Sequence, residues 1–205
     1  MIIKEIKFDD NKDQFNITLD NSEIFYANYK LYNELNLYRG KTLTSEELTK
    51  LVEYDNFNNL LSVAINFISY RFRSEKEIIN RLKKEKASDL EIDNIILYLK
   101  NLNMIDDIEF TKIFYNNKSQ INKWSSKKIK YELYLKGISS EVFYDAIGDT
   151  YEMDYNNALS VIEKNYSIWK NKYDKFKLKN KIYSTLAQKG FSYDIITSVI
   201  EEFND

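Results

Sequence analysis

Ile129-Lys130-Tyr131-Glu132-Leu133 is the stretch that decides the fold, because the chain repeats its pattern three times. Ile78-Ile79-Asn80-Arg81-Leu82 stands 51 residues before it, and Ile182-Tyr183-Ser184-Thr185-Leu186 stands 53 residues after it. Each copy sets an isoleucine four residues ahead of a leucine, which places both on one face of a helix. A glycine turn follows the second and third copies, Lys136-Gly137-Ile138-Ser139 and Lys189-Gly190-Phe191-Ser192. Each turn leads into another apolar pattern, Val142/Ala146/Ile147 and Ile195/Val199/Ile200. The first copy runs on through Lys86-Ala87-Ser88 to Ile92/Ile96/Leu97. A period near 50 residues holds about three helices with short loops. The expected fold is therefore mainly α, a tandem array of three three-helix repeats.

Start and stop signals divide the repeats. Ser74-Glu75-Lys76-Glu77 and Ser88-Asp89-Leu90-Glu91 are capping boxes, in which the serine accepts a free amide proton and the glutamate reaches back. Gly137 and Gly190 sit where a helix needs a left-handed stop. The first repeat is expected at residues 56–104 with helices near 57–72, 75–86 and 89–102. The second spans 105–150, with helices at 107–120, 126–136 and 140–147. The third spans 151–205, with helices at 154–171, 175–189 and 193–203. Residues 1–55 form a different region. Ile2 to Phe8, Phe15 to Leu19 and Glu23 to Tyr26 alternate apolar and polar residues and predict a small antiparallel sheet. Two short helices are expected after it, one around Tyr29 to Leu35 and one opening at Thr44 with Glu47 as its capping partner.

Composition narrows the function. The 205 residues are 43% hydrophobic and 30% charged, enough apolar material for a folded core. There is no cysteine, so disulfides and thiolate metal sites are excluded. No histidine is present either, which removes the commonest general base and metal ligand. Four scattered glycines cannot assemble a phosphate loop, and no nucleophile–base pair is evident, so no catalytic residue, metal or cofactor is assigned. The absence of proline leaves long helices uninterrupted. No apolar run reaches signal or membrane-span length, and a cytoplasmic location is expected.

Charge repeats with the same beat. Residues 71–86, 112–136 and 164–189 carry net charges of +4, +6 and +7, separated by acidic stretches, so the total of −2 conceals three basic bands. Such bands suit an anionic partner, and equally suit solvated lysine-rich helix faces. On the middle helix of the second repeat, with Ile129 and Leu133 facing the core, Lys127, Tyr131 and Tyr134 point outward. Lys128 and Lys130 flank that face and Trp124 lies just before it. Cations with aromatics serve phosphate contact and base stacking, or a protein interface anchored by tyrosine. Matching positions in the first repeat are Lys76, Asn80 and Lys83 with Lys84 beside them, and in the third they are Asn180, Ser184 and Ala187 with Lys177 near. Arg71 and Arg73, one residue apart, can clamp an acidic group, with Glu75, Glu77, Asp106 or Asp107 as internal candidates. Asp106 or Asp107 is expected to cap the following helix rather than hold a metal.

In order and spacing, three segments resemble the RecX family of RecA regulators: Arg71 to Ile78 with Leu82, Leu99 to Phe110 around Ile105-Asp106-Asp107, and Ile129 to Ile138. The family often has glycine where this chain has Asn103, a residue that tolerates the left-handed conformation, and a glycine near Trp124-Ser125-Ser126, where serine can cap. The resemblance implies an elongated, curved stack of three-helix repeats without catalysis. It further implies binding in the groove of the RecA filament on single-stranded DNA, with inhibition of strand exchange, ATP hydrolysis and coprotease action, and hence a role in homologous recombination, DNA repair and the SOS response. A monomer is expected. The alternative is a single-stranded nucleic-acid-binding repeat protein that acts independently of RecA.

Overall fold

A computed structural model describes residues 1–203. Among them are ten α-helices, one π-helical turn and a three-stranded sheet. The chain divides into two compact units, Met1–Tyr70 with Arg81–Tyr98, and Arg71–Asn80 with the residues from Leu99 onward.

In the first unit β1 (Ile3–Asp9), β2 (Gln14–Leu19) and β3 (Ile24–Ala27) pair antiparallel in the order β1-β2-β3. Ile6 lies opposite Ile17, and Ile17 opposite Phe25, so the alternating apolar residues of all three strands share a face. Ile3, Ile17, Leu19 and Ala27 form a buried core with Leu35, Leu37, Leu43 and Leu51. Helix α1 (Tyr29–Glu34) supplies Tyr32, whose ring stacks on Phe15 with centroids 4.0 Å apart.

Helix α2 (Ser45–Ser69) corrects the expectation of a second short helix. It starts as foreseen, with Thr44 and Glu47 forming a complete capping box, but continues unbroken for 25 residues. Nothing between Ser45 and Ser69 can stop it, since that stretch holds neither proline nor glycine. Helices α3 (Glu75–Lys84) and α4 (Asp89–Asn101) follow, each contributing to both units.

In the second unit α5 (Asp107–Asn116), the π-turn Asn117–Ile121, α6 (Ser126–Leu135) and α7 (Ser140–Ile147) surround Phe110, Tyr115, Ile129, Leu133, Ile138 and Phe143. Helices α8 (Tyr151–Lys172), α9 (Lys175–Gln188) and α10 (Tyr193–Glu202) bury Ala158, Ile162, Ile182, Leu186, Ile195 and Val199 among others. The threefold signature is thus the core itself. Ile78, Leu82, Ile129, Leu133, Ile182 and Leu186 are each no more than 1% exposed. Fully burying such side chains stabilises by about 1.5–3 kcal/mol apiece. Among the described residues no helix is long and apolar enough to cross a membrane.

Candidate partner interface

The exposed face of α6 is held in place from both of its ends. At its start Ser125 caps the helix, its side chain accepting from the Lys128 amide. The Ser125 amide donates to the Lys189 carbonyl at the end of α9 (3.0 Å). Lys128 Nζ donates to the Gln188 carbonyl (2.9 Å), and Lys189 Nζ to the Asn122 carbonyl (2.8 Å). Asp154, from the first turn of α8, accepts from the Ser126 amide at 2.9 and 3.1 Å and from the Ser126 hydroxyl at 2.7 Å. The Tyr115 and Ser126 hydroxyls share a further bond of 2.8 Å. The start of α6 therefore abuts the end of α9, an alignment in which the two helix dipoles attract.

The same joint recurs at the other end. Ser74 Oγ donates to the Lys136 carbonyl at the end of α6 (2.7 Å), and the Glu75 amide donates to Asp107 of α5 (2.9 Å). Asp107 and Asp154 thus play one role, each closing the first turn of the middle helix in the preceding repeat. Gly137 and Gly190 let the helices meet. Their φ angles are +92° and +89°, and an added Cβ would lie 2.6 Å from Lys76 Cβ and 2.7 Å from Lys128 Cβ respectively. Lys86 holds the equivalent left-handed position after α3 (φ 62°) and is exposed. Close approach of a neighbour, more than the backbone angle, is what demands glycine at the other two sites.

Burial raises the Asp154 carboxyl above the ordinary range, against the lowering effect of the Ser126 bonds. Ionised or not, it supplies the acceptor for the Ser126 amide, while the Ser126 hydroxyl is shared between Asp154 and Tyr115. Asp154→Ala is expected to lower stability by about 1–3 kcal/mol, since it strands the buried Ser126 amide and leaves the Ser126 hydroxyl only Tyr115, while Asp154→Asn keeps an acceptor and costs less than about half of that. Chemical denaturation of the two variants checks the ranking.

Glu77 is the charged node of the other joint. It accepts from both terminal guanidinium nitrogens of Arg71, Nη2 at 2.8 Å and Nη1 at 3.1 Å, and from Lys136 Nζ (3.0 Å). Burial would raise its carboxyl, but the bonds from Arg71 and Lys136 outweigh it and hold the group at about 2. Because the folded value lies below the ordinary 4.5, the stabilisation is complete above pH 4.5 and is lost as pH falls toward 2. Half-exposed Arg71 is screened by solvent, so about 1–3 kcal/mol is expected to vanish across that window. Glu77→Gln should flatten this part of the stability-against-pH curve. A curve parallel to the unsubstituted protein's would contradict the assignment.

Between the joints lies the outward face. Tyr131 and Tyr134 are 60% and 67% exposed, and Lys127, Leu135 and Tyr144 are exposed beside them. Lys130 lies over the Tyr144 ring, 4.0 Å from its centroid. Lys128, in contrast, belongs to the joint, and its ammonium covers half-buried Trp124 at 4.4 Å. Arg71 spends its fork on Glu77, and burial, then Arg71, lowers the ordinary value of half-buried Arg73. Lys76, Lys83 and Lys84 are exposed on α3, with Lys83 3.7 Å from Asp89. Lys177 is exposed and pairs with Asp174 at 3.1 Å. Of the candidates, Lys127, Lys130, Tyr131 and Tyr134 come together on one helix face, whereas Trp124, Lys128 and Arg71 are engaged internally. Asp106 caps α5 as expected, accepting from the Ile108 and Glu109 amides.

Asp154, Ser126, Tyr115 and Asn157 were not legible as joint residues. Asn157 Nδ2 donates to Ser119, which the π-turn turns inward (2.9 Å), and Lys123 Nζ donates to Asn157 Oδ1 (3.0 Å). The only signal was the recurrence of aspartate at the first turn of α5 and of α8. Among the described residues no group of three or more acidic side chains is placed to hold a metal ion.

Three family profiles match in sequence order: the RecX first three-helix domain at residues 61–99, the second at 106–147 and the third at 152–200. The chain belongs to the RecX family. Regulatory protein RecX of Finegoldia magna is 37% identical over 97% of this chain and 98% of its own length. Regulatory protein RecX of Clostridium beijerinckii is 31% identical over 94% and 90%. A crystal structure of a regulatory protein RecX shares the fold with a TM-score of 0.78 over 98% of both chains, at 21% identity. RecX from Lactobacillus salivarius superposes with a TM-score of 0.66 over 74% of this chain and 98% of its own, at 27% identity. RecX membership makes this a regulatory, non-catalytic helical-repeat protein.

Proposed function

We propose that this protein binds the RecA filament on single-stranded DNA and restrains its recombinase, ATPase and coprotease activities, tempering homologous recombination, DNA repair and the SOS response in the cytoplasm. Family membership supports RecA as the partner. The observation that carries the surface assignment is the exposed Lys127/Tyr131/Tyr134 face on a helix fixed at both ends. Tyrosines with few rotatable bonds make strong anchors, and a fixed helix loses little freedom on docking. Exposed Lys76, Lys83, Lys84 and Lys177 add contacts to acidic protein or DNA phosphate. Because a filament repeats its protomers, several weak contacts reinforce one another through effective concentration.

The test is steady-state ATP hydrolysis by RecA on single-stranded DNA. Substoichiometric protein is expected to suppress it, and an undiminished rate at saturating protein would remove the proposal. A second reading, binding to bare single-stranded nucleic acid without RecA, draws on the +7 lysine band at 164–189. It requires binding that weakens steeply with salt.

A further inference from the structure

We propose that two copies of this protein associate head to tail, the lysine-flanked Phe176 of one copy entering an acidic-rimmed apolar groove on the first unit of the next. The groove, about 550 Å³, lies between α1, α2 and α4. Leu31, Tyr54, Phe57 and Leu90 give it apolar walls. Phe57 is steadied by Tyr98, edge to face at 5.5 Å, and Leu90 is 72% exposed. Its charged rim is Glu34, Glu53 and Glu91 against one lysine, Lys50, which is already paired with Glu34 at 2.9 Å. Such a site takes an apolar side chain carried between cations.

The same chain presents that element in its other unit. Phe176, in the first turn of α9, is 76% exposed and stands between exposed Lys175 and Lys177. It belongs to the segment 164–189 with net charge +7, while residues 1–70 and 87–111 carry −4 and −5. Charge complementarity therefore favours a second copy as occupant. Groove and occupant are different surfaces, so the contact is heterologous: each copy keeps one free groove and one free Phe176, and association can propagate. One side chain and its flanking charges bury far less than a standard stable interface. Copies are accordingly monomeric when dilute and link when crowded or when held side by side on a common support. This inference does not depend on RecA.

Two variants test it in sedimentation velocity. One alters the groove, Glu53→Lys with Leu90→Lys. The other alters the occupant, Lys175→Glu with Phe176→Ala and Lys177→Glu. At about 50 mM salt the unsubstituted protein is expected to sediment faster as its concentration rises, and to lose this at about 500 mM salt, where exposed charges are screened. Each variant alone should stay monomeric. Their equimolar mixture should form a discrete dimer that grows no further, because it joins the one intact groove to the one intact Phe176. A monomer at every concentration, continued association of either variant alone, or a mixture that stays monomeric would overturn the proposal. Should a variant fail to fold, the chain's lack of cysteine offers a milder route. Mixed Glu53→Cys and Asn180→Cys proteins, the second cysteine replacing an exposed residue one turn along α9 so that Phe176 is kept, should form an intermolecular disulfide in excess over either alone, and equal yields would overturn the proposal.

Discussion

Gly190→Ala is expected to destabilise the protein by about 2–4 kcal/mol, combining the strain of a left-handed alanine with overpacking of a tight contact. The new methyl would meet Lys128 Cβ at 2.7 Å and Ser125 Oγ at 2.8 Å, atoms at the very start of α6. Relief requires α9 and α6 to separate, which also stretches the Ser125 amide bond to the Lys189 carbonyl. Gly137→Ala should act likewise at the other joint, where the Lys76 Cβ stands 2.6 Å away. The control is Lys86→Gly, at a left-handed position that already carries a side chain, with an expected change under about 1 kcal/mol. Urea denaturation of the three variants decides between a packing requirement and a purely backbone one. Equal small effects at all three positions would refute the joint.

A second large effect is expected on binding. Lys127→Glu with Tyr131→Ala and Tyr134→Ala should weaken association with the RecA filament by about 100-fold or more, since two anchor tyrosines and a favourable charge are lost together. All three side chains are exposed, so the melting temperature should hardly move. Lys128→Glu makes the instructive contrast. It removes the bond to the Gln188 carbonyl and the cover over Trp124, so its loss of binding should come with a loss of stability.

The recurrence of Ile129 and Leu133 at two other places made the helical array legible, because burial imposes the same residue types wherever the same core is built. Thr44, Ser74 and Ser88 were readable as caps for the same reason: a helix start has few chemical solutions. The length of α2 was hidden, since a cap marks where a helix begins and a repeat frame suggested a break that no residue supplies. Joint chemistry was less accessible still. Ser126 and Asp154 meet across 28 residues, and a polar residue buried there has the same letter as one in solvent. Lys128 shows the cost: by helical periodicity it flanks the outward face, yet its ammonium turns back onto the end of α9.

In the proposed function α6, locked between two helix-end joints, presents the surface that grips RecA. The most direct test is the affinity of the Lys127→Glu/Tyr131→Ala/Tyr134→Ala protein for RecA assembled on single-stranded DNA, measured beside the unsubstituted protein with folding verified for both. Affinity should fall about 100-fold or more at unchanged stability. Undiminished affinity in a folded variant would contradict the proposed surface.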